Sequence, residues 1–261
     1  MKEKTEADQL AASCRNAGSL TITKIEQKEK SEKAPALYDL TTLQRDANRL
    51  LGFTAKQTLD HAQSLYEKKL ITYPRTDSRY LTDDMAGMVP QLAADIQKKL
   101  EIHPDVPVSV NAEQVINSRK VSDHHAVIPT RTAIKSDPPS LPSGEQAVFS
   151  LIARRLICAV SLPYRYTEIS VCGSCAGTEF KAGGRVVLDM GWKAYENKRK
   201  PSGEKDSGGD AAGHLPSLSE GAELPIRNIA VKEGKTSPPK RFTEDLLLKA
   251  METASIDEFP D

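Results

Sequence analysis

The chain has 261 residues, 38% of them apolar and 28% charged, a soluble balance with enough material for one large domain or two modest ones. Lys plus Arg and Asp plus Glu number 36 each, so net charge does not announce nucleic acid, although a basic groove is readily balanced by acidic outer faces. No apolar run approaches the ~20 residues of a membrane span, no hydrophobic signal segment opens "MKEKTEADQL", and no G-x-x-x-x-G-K stretch offers a P-loop. A cytoplasmic protein without membrane contact and without nucleotide hydrolysis is the expectation.

In chain order, "SLTITKIEQK" (residues 19–28) is rich in Thr and Ile and predicts a strand. After the Pro-containing connector "SEKAPAL", the helical period dominates to about Pro163. "TTLQRDANRLLG" predicts a short helix stopped by Gly52. "TAKQTLDHAQSLYEKKL" predicts a second, with Thr54 and Gln57 in capping-box spacing and Leu59, Ala62, Leu65, Tyr66 and Leu70 as its buried stripe. Joined through "LGFT", the pair resembles a helix-turn-helix, a pairing also common in proteins that never touch DNA. "TDDMAGMVPQLAADIQKKL" is helical with a kink or a break at Pro90. An extended, proline-punctuated stretch over 102–142 is expected next. "SGEQAVFSLIARRLICAV" then predicts a long helix with Ser143 and Gln146 as capping box and Val148, Leu151, Ile152 and Leu156 facing inward.

The strand period returns after Pro163 in "YRYTEISVC", "TEFKAGGRVVLDMGW" and "ELPIRNIAVKEG", with 197–214 expected as a mobile Gly-, Lys- and Ser-rich loop. "RFTEDLLLKAMETA" predicts an amphipathic helix capped by Thr243, and a chain that stops soon afterwards is expected to be a piece of something longer. Cys14, Cys158, Cys172 and Cys175 are expected to be reduced thiols. "CGSC" has the spacing of half a zinc site, but no second Cys/His pair follows it at a suitable distance, and it sits inside "TEISVCGSCAGTEF", which alternates like a strand broken by a glycine turn. Strands at both ends with helices between give an α+β class rather than an alternating one.

"ITYPRTDSRYL" (71–81) stands out within this plan. Pro74 disfavours helical geometry for Tyr73 and drives it toward extended backbone. In an extended stretch residues two apart point the same way, so Tyr73 and Arg75 share a face. A free tyrosine, with a pKa of about 10, is a poor nucleophile at neutral pH. A guanidinium beside it stabilises the phenolate, grips a phosphate oxygen in bidentate fashion and offsets charge developing at phosphorus. Asp77 and Arg79 are placed to orient one another, or Asp77 to cap the next turn. The plainer reading is a tyrosine packed at a helix end beside a solvated Arg–Asp pair. "VSDHHAVIPT" (121–130) is the second polar constellation. Adjacent histidines on extended backbone face opposite ways, so one meets a ligand while the other packs or meets solvent, and the two are poorly set to grip one metal. A histidine donates to a phosphate oxygen near neutral pH. Two structural loop histidines are the plainer reading here as well.

Together, "ITYPRTDSRYL" and "SDHHAVIPT" resemble the active-site segments of type IA DNA topoisomerases, nearest the topoisomerase III branch. "LYDLTTLQRDANRLLGFTAKQTLDHAQSLYE", "GRVVLDMGW" and "PPKRFTEDLLLKAME" extend the resemblance over most of the chain. It implies that Tyr73 attacks a phosphodiester of single-stranded DNA, forming a 5′-phosphotyrosyl bond and freeing a 3′-hydroxyl, with reversal after strand passage. The bond energy kept in the covalent link explains the lack of an ATP requirement. Tyr73 and Arg75 are the implied catalytic pair and His124 the implied contact to the DNA backbone, while Thr130 and Arg79, polar residues of the same two segments, are also expected to contact DNA. The implied architecture places residues 1–37 and 166–238 in a β arch, 38–165 in a helical domain that carries the tyrosine and is inserted into that arch, and 239–261 at the start of a further DNA-binding domain. The family's acidic Mg²⁺-binding domain is unmatched here: Asp83 and Asp84 sit at an expected helix start, where capping explains them. Mg²⁺ is therefore expected only with that missing N-terminal domain, with no metal ligands in this chain, and the chain alone is expected neither to cleave nor to relax DNA. A tyrosine recombinase is disfavoured, since it needs its histidine and arginines ahead of the tyrosine. A non-catalytic helix-turn-helix DNA binder and a scaffold without DNA affinity stand as the remaining alternatives.

Overall fold

The structure, a computed structural model, describes residues 4–103, 109–135, 141–196, 218–236, 238–239 and 241–257. The loop expected to be mobile over 197–214 lies outside the described residues. The chain is α+β and divides into two compact units. One comprises Met1–Ser31, Arg165–Asp189 and Asp206–Lys240, the other Glu32–Tyr164, Met190–Lys205 and Arg241–Asp261.

The first unit is built on a four-stranded sheet in the order β3-β2-β1-β4, from β1 (Ser19–Glu32), β2 (Tyr164–Cys175), β3 (Thr178–Asp189) and β4 (Glu223–Pro225). It is preceded by α1 (Lys4–Ala17), a largely polar helix that buries only Ala11 and Cys14 and so leaves little periodic apolar signal in the sequence. β2 and β3 form an antiparallel hairpin whose turn residues, Ala176 (φ 47°) and Gly177 (φ 74°), are both left-handed, as the right-handed twist of a tight hairpin requires. The glycine turn expected within "TEISVCGSCAGTEF" falls at Gly177, and β2 runs unbroken through Gly173 to Cys175. Gly173 is needed for close approach, because a Cβ there would meet the Leu20 side chain of β1 at 2.4 Å. The third expected strand is cut to three residues that pair with Ser19–Thr21, since Pro225 has no N–H to continue a ladder. All four cysteines are free thiols.

The second unit is helical: α2 (Leu40–Leu51), α3 (Ala55–Glu67), α4 (Val89–Lys99), α5 (Arg131–Lys135), α6 (Ser143–Val160) and α7 (Glu244–Asp257). Asp39 caps α2 through the Thr42 amide in a reciprocal box, and Gly52 ends it at φ 74°. Thr54 and Gln57 form the expected capping box of α3. Pro90 resolves as a break, with a 3-10 turn at Asp83–Met85 and then α4 carrying the proline in its first turn. The Ser143–Gln146 capping box is not formed: Pro142 occupies the N-cap, and the Gln146 amide donates to its carbonyl. Proline's fixed φ pre-sets that entry without a side-chain cap. The region expected to be extended over 102–142 contains two 3-10 turns (Ala112–Val115 and Ser118–Lys120) and α5. Thr243 caps α7 as expected, accepting from the Leu246 amide at 3.3 Å.

Helix α6 is the hub. Its expected inward residues Val148, Leu151, Ile152 and Leu156 are buried, and so are Ile157, Cys158, Ala159 and Val160, which makes its last turns apolar all round. Burial pushes the Cys158 thiol up to about 12, so it is an inert packing group. Leu43 and Ala47 of α2, Ala62 and Leu65 of α3, and Leu92 and Ile96 of α4 complete the core. Ile71, Leu81 and Ile128 join it from irregular segments, so the core itself anchors both of the polar loops singled out in the sequence.

Candidate active site

Helix α3 ends at Lys68, and Lys69 turns the chain out at φ 59°, a left-handed exit that throws Leu70 back onto the Leu65 carbonyl. From Leu70 the backbone runs extended beside the histidine segment. Ile71 bridges Pro129 in antiparallel fashion, and the Thr72 amide donates to the Ile128 carbonyl at 2.9 Å. Side chains lace the same seam. The Thr72 hydroxyl donates to the Ala126 carbonyl (3.1 Å) and accepts from the Ile128 amide (3.0 Å), and the Thr76 hydroxyl donates to the His124 carbonyl (2.7 Å). Farther along, the Ala126 amide donates to the Tyr80 carbonyl at 2.9 Å.

Burial alternates along this stretch: Pro74, Thr76 and Ser78 are buried, Arg75 and Asp77 exposed, Tyr73 and Arg79 half-buried. The odd-numbered side chains therefore share the outward face, as extended geometry requires. The ring of Tyr73 lies 4.4 Å from that of His124, tilted by 49°, and 5.3 Å from that of Tyr66, nearly edge-on. Tyr73, Thr82, Val121, Ser122, Asp123, His124 and His125 line a hollow of ≈ 260 Å³. Arg75 makes no hydrogen bond or ion pair with the described residues and stands free for an anion. His124 is exposed, while His125 is half-buried, its Nδ1 2.9 Å from the Ala126 carbonyl. The arrangement offers a phenol, a neighbouring imidazole and an unpaired guanidinium on one side of a braced loop.

The other sequence-selected residues are placed differently. Arg79 does not pair with Asp77: its Nε donates to Asp39 at 2.5 Å, and Asp77 accepts from the Ser122 hydroxyl at 3.0 Å. Thr130 donates its hydroxyl to the Lys69 carbonyl and accepts from the Ala133 amide in the first turn of α5, outside the lining of the Tyr73 hollow. Tyr66, expected in the buried stripe of α3, is 39% exposed. Its place as the next-to-last residue of α3 turns it from the core toward Tyr73. Three contributors carried no weight in the sequence reading: Asp39, Thr76 and Ser78. The Asp39/Thr42 spacing of a capping box and the alternation in "TYPRTDS" are the signals that point to them.

Thr76 is 7% exposed and ties the two loops directly, donating to His124 and accepting from the Ser78 amide at 3.1 Å. Thr76→Val keeps its shape but leaves a carbonyl and an amide without partners, so a loss of about 1–3 kcal/mol is expected in denaturant unfolding of the chain. Unchanged stability would show that water replaces both bonds.

Mg²⁺ is the cofactor implied by the resemblance. Among the described residues no three His, Cys, Asp or Glu side chains converge to hold a metal ion, Cys172 and Cys175 included. The described residues do not fit that group.

Residues 1–256 match the family described as DNA topoisomerase. DNA topoisomerase 3 of Bacillus subtilis (strain 168) is 38% identical over 243 residues, which cover 90% of this chain and 32% of that protein. DNA topoisomerase 3 of Bacillus licheniformis is 38% identical over 239 residues, 88% of this chain and 32% of that protein. In three dimensions the chain is similar to full-length topoisomerase I from Thermotoga maritima, with a TM-score of 0.72 at 22% identity, over 97% of this chain and 40% of that one. That likeness carries the fold. This chain spans about a third of the length of the curated relatives it matches. Its match along nearly the whole length to one family makes it a member of the DNA topoisomerases, similar to the bacterial topoisomerase 3 proteins.

Proposed function

We propose that this chain supplies the nucleophile of a type IA DNA topoisomerase, with Tyr73 cleaving one strand of DNA and resealing it. The Tyr73 oxygen bonds to phosphorus, the bond from phosphorus to O3′ breaks, and the proton lost by the phenol is matched by one gained on the 3′-hydroxyl. Reversal restores the phosphodiester with no net bond energy lost, so no ATP enters. Arg75 holds a non-bridging oxygen of the scissile phosphate and stabilises charge as it develops, and His124 donates to the DNA backbone beside it. Arg79 and Thr130, for which DNA contact is expected from the sequence, have their polar groups on protein partners, and here they brace the loop.

The observation that carries the reading is the 4.4 Å approach of Tyr73 to His124, two motifs far apart in sequence, with Arg75 exposed two residues after Tyr73 and without a hydrogen bond or ion pair among the described residues. In the proposed architecture the helical unit hangs from a β arch, α7 begins a further DNA-binding element, and Mg²⁺ belongs to a separate acidic domain. The chain alone is proposed to bind single strands weakly and to relax nothing. No helix among the described residues is long and apolar enough to cross a membrane, and a DNA-associated, cytoplasmic location goes with the proposed substrate.

The test is a chimera in which this chain replaces the matching residues of the Bacillus subtilis relative. Single-stranded oligonucleotide is cleaved, the complex denatured, and the joined peptide and DNA end identified. Attachment of Tyr73 to a 5′ phosphate is expected. Attachment to a 3′ end, attachment through another residue, or no cleavage at all overturns the proposal.

A further inference from the structure

We infer that Asp39 is a positioning residue for strand cleavage, acting through Arg79, an inference that rests on Tyr73 being the nucleophile. Asp39 is 5% exposed, and its two carboxylate oxygens do different work. Oδ1 accepts from the Thr42 amide (2.7 Å) and the Thr42 hydroxyl (2.6 Å), fixing the start of α2. Oδ2 accepts from Arg79 Nε at 2.5 Å, at the far end of the tyrosine loop.

The neighbours of Asp39 grip the same two loops through their backbones. The Leu40 amide donates to the Thr76 carbonyl at 3.0 Å, and the Tyr38 carbonyl accepts from the Val127 amide at 2.8 Å. Residues 38–40 thus bond in turn to the histidine segment, to Arg79, and to the tyrosine loop. Tyr73 is held on one side through Thr72 and Ile128 and on the other through Thr76 and Arg79. Asp39 is the only charged member of the three-residue clamp, and its partner Arg79 is additionally reached by Glu252 of α7 at 3.4 Å. With Nε on Asp39 and one Nη on Glu252, the Arg79 guanidinium is engaged by two protein carboxylates, an arrangement suited to fixing the loop.

Placement matters because a nucleophile shifted by ~1 Å loses about 10²-fold in rate. Asn caps helices as well as Asp does, so Asp39→Asn keeps the α2 cap through its one oxygen and removes the carboxylate charge and the acceptor that face Arg79 Nε. In the chimera, Asp39→Asn and Arg79→Gln are each expected to slow single-turnover cleavage by about 10- to 100-fold, with single-strand affinity and its salt dependence unchanged. The double variant is expected to be no slower than either single one, as for groups acting as a unit. Folded fraction is followed by thermal unfolding, so a merely structural pair reveals itself as lower amplitude at an unchanged rate constant, which overturns the inference. Cleavage at the parent rate, additive losses, or weaker and less salt-dependent binding for Arg79→Gln alone, the mark of a direct phosphate contact, overturn it too. If Asp39→Asn does not fold, Arg79→Gln, at a side chain 40% exposed, decides by the same readouts. A Tyr73→Phe chimera run alongside separates the cases: if it still forms the covalent link, the nucleophile assignment fails, whatever Asp39 does.

Discussion

Tyr73→Phe in the chimera is expected to abolish strand cleavage and the covalent DNA link, by at least about 10⁴-fold, the scale on which removal of an enzyme nucleophile acts. The substitution deletes one oxygen and nothing else. The ring keeps its tilted contact with His124 and its edge contact with Tyr66, and the loop keeps every backbone and threonine bond that ties it to residues 124–129. Binding of single-stranded DNA is therefore expected to stay within about twofold of the parent, since the basic and hydrogen-bonding groups of the site are untouched. Loss of cleavage with binding retained isolates the phenolic oxygen as the reacting atom. Full relaxation of supercoiled plasmid by the variant would leave Tyr73 as a packing residue and favour the non-catalytic DNA-binding alternative.

Arg155→Met is expected to lower stability by about 2–4 kcal/mol, a fall of roughly 4–16 °C in Tm for a chain of this size. Arg155, on α6, donates to the Asp46 carboxylate of α2 and to the Tyr38 hydroxyl (3.1 Å), and its guanidinium lies 4.2 Å over the Tyr38 ring. Tyr38 in turn donates to Asp46 at 2.7 Å. The ion pair is 16% and 21% exposed at its two side chains, enough burial that removal of one partner strands the other. Burial alone would raise the Asp46 carboxyl, but Arg155, Tyr38 and Arg49 outweigh it and hold the group below the ordinary carboxylate value. A depressed folded value stabilises the fold fully above the unfolded value of about 3.9, and that stabilisation is lost as pH falls through the folded value. The gap in Tm between the parent chain and Arg155→Met is thus expected to be constant near neutrality and to close below about pH 4. A gap that widens on acidification would mean that Asp46 is not the group Arg155 serves. The network also bears on the proposed site, because the Tyr38 carbonyl receives the Val127 amide of the histidine segment.

Much of the helical framework was legible in the sequence because helices are closed by bonds between near neighbours. Gly52 at a left-handed C-terminus and the Thr54–Gln57 box follow from local rules about orphan amides and carbonyls. Where the local reading failed, a local rival won. Pro142 displaced a serine cap, and Pro225 ended a strand that the alternation alone would have continued. The helical period treats Tyr as apolar and so places Tyr66 in the core, yet its ring is shared between solvent and Tyr73.

By itself, the sequence determined which chemistry is available: a tyrosine forced extended by Pro74, an arginine on its own face, and a family resemblance carried by those residues and their flanks. Tertiary structure decided what stands next to what. The approach of His124 to Tyr73, the use of Thr76 as a tie between loops and the capture of Arg79 by Asp39 all join residues many turns apart in the chain. Such contacts follow from how the apolar faces of α2, α3 and α6 pack and where Ile71 and Ile128 are pinned in the core. No periodicity within a short window encodes those distances, because the free energy that sets them is the burial of the whole core rather than of any one segment.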